Sequence, residues 1–217
     1  MSTPRIVEAD AAGLAAAIEA VVSGRVAALP TDTLYALATS TTVEGASRRL
    51  FALKRRDRAL PLPVLCADLE QAATVGVLEG EALRLARRHW PGPLTLAVPR
   101  RRGFGADLGD DATTVGLRVS DDDVTRAVAA AAGPLATSSA NLHGRDEPPT
   151  PDAIAALFGD DLAVVVRRAS PGSGLASTVV LCGSRGEVVE VLRRGAVDLG
   201  GSPTPPSASD VGTQTGS

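Results

Sequence analysis

The chain has 217 residues, 44% apolar but only 2% aromatic, so its interior must be filled by Ala, Val and Leu; it is long enough for one sizeable core and too poor in rings for a single-strand RNA reader built on stacking. A formal charge of −3 excludes a global basic field for nucleic acid, and phosphate binding has to come from local clusters. Such clusters occur at Lys54, Arg55, Arg56 and Arg58, at Arg84, Arg87, Arg88 and His89, and at Arg100, Arg101 and Arg102; each taken alone reads as a solvated face.

In chain order, a helical pattern runs from an Asp10 cap through Leu14, Ile18 and Val21 and stops at Gly24. Arg25 to Leu29 reads as a buried strand ended by Pro30 and feeding the polar loop Thr31-Asp32-Thr33. A helix from near Val43 carries Leu50, Phe51 and Leu53 to Lys54. Leu62 to Cys66 is a strand, Asp68 to Val75 a short helix, and Glu81 to Trp90 a helix stopped by Pro91-Gly92-Pro93. Leu94 to Val98 is a strand and Gly103 to Asp111 a loop; the strand Thr114 to Val119, the helix Asp123 to Ala132 and the strand Leu135 to Thr137 follow. Ser138 to Pro149 reads as a long polar loop, and Pro151 opens a helix to Phe158. Leu162 to Val166, Ser177 to Leu181 and Val188 to Leu192 are strands with no helix between them, which predicts an α/β (α+β) fold with a mixed sheet. Residues 201–217 are too polar and Pro-rich to offset their ordering entropy and are expected to form a disordered tail on a domain spanning 1–200.

Cys66 and Cys182 lie in apolar runs without disulfide or zinc spacing and read as core residues. The N-terminus has no basic region leading into an apolar one, and no apolar run approaches the ~20 residues of a membrane helix; cytoplasm is the expected location, with no membrane partner. No phosphate loop, dinucleotide fingerprint, nucleophile elbow or metal cluster is present. What remains is hydroxyl, amide and cationic residues in loops after apolar strands: Pro30-Thr-Asp-Thr-Leu-Tyr35, Lys54-x-Arg56, Pro91-Gly-Pro-Leu-Thr95, Ser138-Ser-Ala-Asn141 and Ala176-Ser-Thr-Val-Val180, joined by Arg118 and Arg193 at strand positions. Lys54 is the only lysine among 22 basic residues; an ammonium as point charge and a guanidinium fork at Arg56 would suit a triphosphate. Alternation places Arg118 on one face with Thr114 and Gly116, where it either snorkels to solvent or reaches an anion. Ser139 and Asn141 either close turns or bind a ligand.

These segments, in this order and spacing over about residues 10 to 200, resemble the YrdC-like threonylcarbamoyl-AMP synthases in their short, single-domain form. The resemblance implies a twisted mixed sheet with helices around a concave basic cleft. It also implies a nucleotidyltransferase that makes threonylcarbamoyl-AMP and pyrophosphate from L-threonine, bicarbonate and ATP, with Mg²⁺ carried by the nucleotide and no tightly bound metal. The product would serve threonylcarbamoyladenosine formation in ANN-decoding tRNA, through separate partner proteins that transfer the group. By matching positions, Thr33, Arg118, Thr137 and Ser177 would hold threonine. Lys54, Arg56, Thr114, Ser139, Asn141 and Arg193 would face the nucleotide, with Lys54 and Arg56 acting in the chemistry. The chain departs from the family pattern at Ala36, Asp57 and Ser120, and at Leu60, Leu65 and Leu181, where many relatives carry polar side chains. Two other readings stay open on the residues alone: a double-stranded RNA or tRNA binding module without catalysis, and a paralogue activating a carbamoyl group for another acceptor.

Overall fold

The computed structural model describes residues 4–111, 113–142, 148, 150–168 and 172–199. The expected tail therefore lies outside the described residues, as does most of the segment 143–149. In chain order the elements are β1 (Arg5–Glu8), α1 (Ala11–Val22), β2 (Ala27–Leu29), β3 (Ala36–Ser40), α2 (Ala46–Lys54), β4 (Val64–Cys66), α3 (Leu69–Val75), α4 (Gly80–His89), β5 (Leu94–Pro99), β6 (Thr114–Val119), α5 (Asp123–Ala132), β7 (Leu135–Ser139), α6 (Pro151–Phe158), a 3-10 turn (Gly159–Asp161), β8 (Val164–Arg167), β9 (Thr178–Cys182) and β10 (Val188–Arg193).

Side-chain caps start four of the helices, whereas α2 and α4 begin without one. The carboxylates of Asp10, Asp68 and Asp122 accept the first free N–H groups of α1, α3 and α5, and Thr150 does the same for α6 with Pro151 in its first turn. Two strands have no clear signature in the sequence. In β1 only Val7 is buried, so no alternation shows, and the strand exists by parallel pairing with β8. In β3 the run Ala-Leu-Ala-Thr-Ser has little strand propensity, and antiparallel neighbours β2 and β7 impose the conformation. The same pairing corrects the reading of Ser138 and Ser139 as loop, because β7 runs on through both, opposite Leu37 and Ala36.

All ten strands form one mixed sheet in the order β1-β8-β2-β3-β7-β4-β6-β5-β9-β10. Its two faces are covered unequally. On one, Leu37, Val64, Leu96, Leu117 and Val180 meet α2, α3, α4 and α6 through Leu50, Phe51, Val75, Ala82, Ala86 and Ile154. On the other, α1 and α5 bring Ala17, Val21, Val128 and Ala129 onto Leu29, Ala38, Leu65 and Leu135. That second cover ends at β4. Beyond it the same face carries Thr114, Gly116 and Arg118 of β6, Thr95 and Ala97 of β5, and Val179 and Leu181 of β9, in register as Leu65–Arg118, Gly116–Ala97–Leu181 and Thr95–Val179. Thr114, Gly116, Ala97, Val179 and Leu181 are only half-buried, while their alternate neighbours are buried. Half of one sheet face is thus a floor without helices.

Candidate functional site

Arg118 stands where the covered part of this face meets the open part. Arg118 does not snorkel to solvent: it is 7% exposed and its guanidinium is spread over three acceptors. Nε donates to Gly92 O at 3.1 Å, Nη1 to Thr33 Oγ1 at 2.9 Å and Nη2 to Asp32 Oδ1 at 2.6 Å. The Pro-Gly-Pro turn supplies Gly92, whose N–H donates to Val119 O and so docks the turn on the end of β6. The Thr-Asp-Thr loop is stiffened from within, where Thr31 and Thr33 share a hydroxyl hydrogen bond of 2.9 Å. It is also roofed by residues 172–174, with Ser173 N–H on Asp32 O and Gly174 N–H on Thr33 O. Gly172 is required there, since a Cβ would fall 2.1 Å from Thr33 O.

A second hydroxyl pair lies across the floor. Thr95 Oγ1 and Ser177 Oγ are 2.9 Å apart. Arg193, exposed at the end of β10, donates from Nη2 to Ser177 Oγ and from Nε to Ser177 O, each at 3.0 Å.

The third group is built on Lys54. Arg55 closes α2 in the left-handed conformation at φ 47°, a strain of ~1–2 kcal/mol for a side chain with a Cβ, and the kink separates its neighbours. Lys54 turns inward, 1% exposed, and donates to Ser139 O at 2.7 Å, to Asn141 Oδ1 at 2.8 Å and to Asn141 O. Ser139 Oγ donates to the same Asn141 Oδ1 at 2.6 Å. Arg56 turns the other way and donates to Leu60 O and Pro61 O at 2.8 and 3.1 Å.

Electrostatics joins these groups into one region. Burial, then the positive charge of Arg193, pulls Arg56 below the usual guanidinium value. Arg118 is pulled down first by burial and also by Arg193, against the opposing charge of Asp32. Arg193 therefore lies close enough to both to be felt, and all three remain cationic at neutral pH. Three like charges with one intervening carboxylate form a field that stores repulsion until an anion arrives.

Two predicted residues are held differently. Thr114 shares the face of Arg118 but sits two side chains along β6, its hydroxyl bonded to Asp111. Thr137 is 3% exposed and its Oγ1 donates to Pro63 O at 3.1 Å, so it ties β7 to the start of β4. Of the departures from the family pattern, Leu65 packs under α1 and α5, Leu60 is exposed, and Leu181 lies on the open floor. Asp32, Thr95 and Ser120 belong to the site although no role was read for them, and the two threonines flanking Asp32 are the signal that marks it. In the remaining arginine clusters some members are engaged elsewhere: Arg58 with Asp107 and Asp110, Arg84 with Glu81, Arg101 with Ala73 O. Among the described residues no three His, Cys, Asp or Glu side chains gather as a metal site, and no helix is long and apolar enough to cross a membrane. A separate concavity of about 800 Å³, lined by Arg25, Arg49, Arg55, Leu157 and Phe158 among others, includes none of the predicted site residues.

The family model Sua5_yciO_yrdC, described as telomere recombination, matches residues 19–195. A putative threonylcarbamoyl-AMP synthase of Mycobacterium tuberculosis is 31% identical over 186 residues, which is 85% of this chain and 85% of that protein. The human threonylcarbamoyl-AMP synthase is 38% identical over 136 residues, covering 61% of this chain and 47% of that one. P. abyssi Sua5 complexed with L-threonine superposes with a TM-score of 0.76 at 27% identity over 83% of this chain, which spans 54% of the solved one. E. coli YciO, at 23% identity and a TM-score of 0.80 over 92% of this chain and 98% of that one, shares the fold.

Proposed function

We propose that this chain, which belongs to the Sua5/YciO/YrdC family, is an ATP-dependent nucleotidyltransferase that condenses L-threonine, bicarbonate and ATP into threonylcarbamoyl-AMP and pyrophosphate. The carrying observation is the convergence of Arg56, Arg118 and Arg193 with the hydroxyls of Thr33 and Ser177 at an open half of the sheet. Human and P. abyssi relatives named threonylcarbamoyl-AMP synthase support the substrate class.

The chemistry asks little of the protein beyond placement and charge. A carbamate oxygen on the amino acid forms the new bond to the α-phosphorus as the bond to pyrophosphate breaks, and negative charge spreads over the phosphoryl oxygens and the leaving group. No protein nucleophile is required. In this reading Arg118, Thr33 and Ser177 form the amino-acid end, with Arg118 presented by its three fixed acceptors, while Thr137 contributes by tying β7 to the start of β4. Arg193 and Arg56 neutralise phosphate charge, joined by Ser139, Asn141 and Thr114. Lys54 positions the Ser139–Asn141 loop, since its donors are directed at that loop. Mg²⁺ would enter with ATP as part of the substrate. The product would pass to tRNA through separate transfer proteins, in the cytoplasm.

The RNA-module reading is weaker, because one arginine of each basic cluster outside the cleft, Arg58, Arg84 and Arg101, is held by acids or a carbonyl. The test is pyrophosphate release from ATP, which should require both L-threonine and bicarbonate. Release indifferent to threonine would overturn this function and favour another carbamoyl acceptor. Nucleic-acid binding that weakens by orders of magnitude between ~50 and ~200 mM salt, with no release at all, would favour the binding module.

A further inference from the structure

Asp32 is bonded on one side only. Its Oδ1 accepts from Arg118 Nη2 at 2.6 Å, Ser120 Oγ at 2.5 Å and Asp121 N–H at 3.0 Å. Its Oδ2 is buried and accepts nothing, and it is the one buried side-chain polar atom left without a partner among the described residues. A carboxylate oxygen withdrawn from water without a donor is costly, and such atoms mark a place where a donor arrives. The main chain cannot swing to relieve it, because Asp32 O is held by Ser173 N–H.

A neutral amide at this position could also accept from Arg118, Ser120 and Asp121 through one oxygen, with a weaker bond to the guanidinium. A carboxylate adds charge, and among the described residues it is the only acid hydrogen-bonded to any of the three site guanidiniums. An amino acid brings both signs: its carboxylate suits Arg118, but its ammonium enters a field that repels cations. The amine is two bonds from the carboxyl carbon. A carboxylate sharing the guanidinium that grips the substrate carboxylate therefore lies within reach of the amine.

Resting on the function proposed above, we infer that Asp32 Oδ2 receives the α-amino group of the substrate and takes its first proton. The nitrogen loses two protons overall: one passes to Oδ2 and then to solvent, and the other leaves as part of water. The N–C bond to bicarbonate forms, its C–OH bond breaks, and the sum is ammonium plus bicarbonate giving carbamate, water and a released proton.

The test is calorimetric binding of L-threonine and of 3-hydroxybutanoate, the same skeleton without the amine, in EDTA and without ATP. Wild type should prefer L-threonine by about tenfold or more. Asp32→Asn should lose most of that preference, weakening L-threonine about tenfold while 3-hydroxybutanoate binds as before or tighter. Equal weakening of both ligands would show that Asp32 acts only through Arg118 and would overturn the inference, as would wild type binding both ligands alike, a result that does not depend on the variant folding. Wild type binding neither ligand would instead bring down the proposed function, and the inference with it.

Discussion

Replacing Arg118 by Met keeps most of the side-chain volume but removes the guanidinium from a pair whose side chains are only 9% and 14% exposed. Asp32 is left as a buried charge, while Thr33 Oγ1 and Gly92 O each lose a donor. Breaking one partner of a buried ion pair costs ~3–5 kcal/mol, because the survivor is uncompensated. At about 2–4 °C per kcal/mol for a domain of this size, Arg118→Met should melt roughly 6–20 °C below wild type. Arg118→Met with Asp32→Asn removes the orphaned charge, and pairs replaced on both sides by neutral groups are often close to neutral in stability; the double variant should recover at least about half of the loss. Thermal unfolding of the four proteins followed by circular dichroism at pH 7 measures this directly. A single variant within ~2 °C of wild type, or a double variant as unstable as the single, would refute the account of Arg118 as a residue prearranged by a buried carboxylate.

Arg193→Ala should separate function from stability. The residue is exposed and holds Ser177, so pyrophosphate release should fall at least ~30-fold, the kinetic equivalent of ~2 kcal/mol, with a melting temperature changed by no more than ~4 °C; full activity would remove Arg193 from the site. Gly172→Ala should push the roof off the Thr-Asp-Thr loop, since its Cβ would meet Thr33 O at 2.1 Å. An overpacking cost of ~1–3 kcal/mol is expected with weaker threonine binding by calorimetry, and unchanged affinity would argue that residues 172–174 do not order Thr33. Asp111 accepts from Thr114, from Thr113 Oγ1 and from Thr113 N–H, which hold its carboxyl down to about 2 from its ordinary 3.8. Its contribution is therefore present above the unfolded value and lost as pH falls through about 2. The urea midpoint of wild type should drop over that window more than that of Asp111→Asn, and parallel curves would show that these bonds do not matter to stability.

Much of the architecture is legible in the residue order because it depends on local chemistry. Apolar runs of strand length, Asp and Thr caps, Pro151 and the Pro-Gly-Pro stop place α1, α3 to α6, β5 and β6 within a residue or two of where they occur. The strands that escaped are those with no local signal: β1 lacks alternation, β3 is made of Ala, Leu, Thr and Ser, and the end of β7 reads as loop, each being strand only because a neighbour offers hydrogen bonds. At the site the residue types were readable and their engagements were not. Lys54, read with Arg56 as a cationic pair suited to a triphosphate, is almost wholly buried and donates to Ser139 and Asn141, beside an Arg55 in a left-handed turn that no composition rule forecasts.

The order of motifs and the spacing of apolar residues, being properties of the chain itself, determine that this protein is a mixed α/β domain with hydroxyl and cationic groups at strand ends. Which of those groups share a field is decided only when residues 32, 118 and 193 are brought together from three distant parts of the chain. Tertiary structure likewise leaves half of one sheet face without helices and one oxygen of Asp32 without a donor. The first follows from the unequal placement of α1 and α5 and the second from how the loops around Asp32 close on it, both matters of packing that no local stretch of sequence encodes.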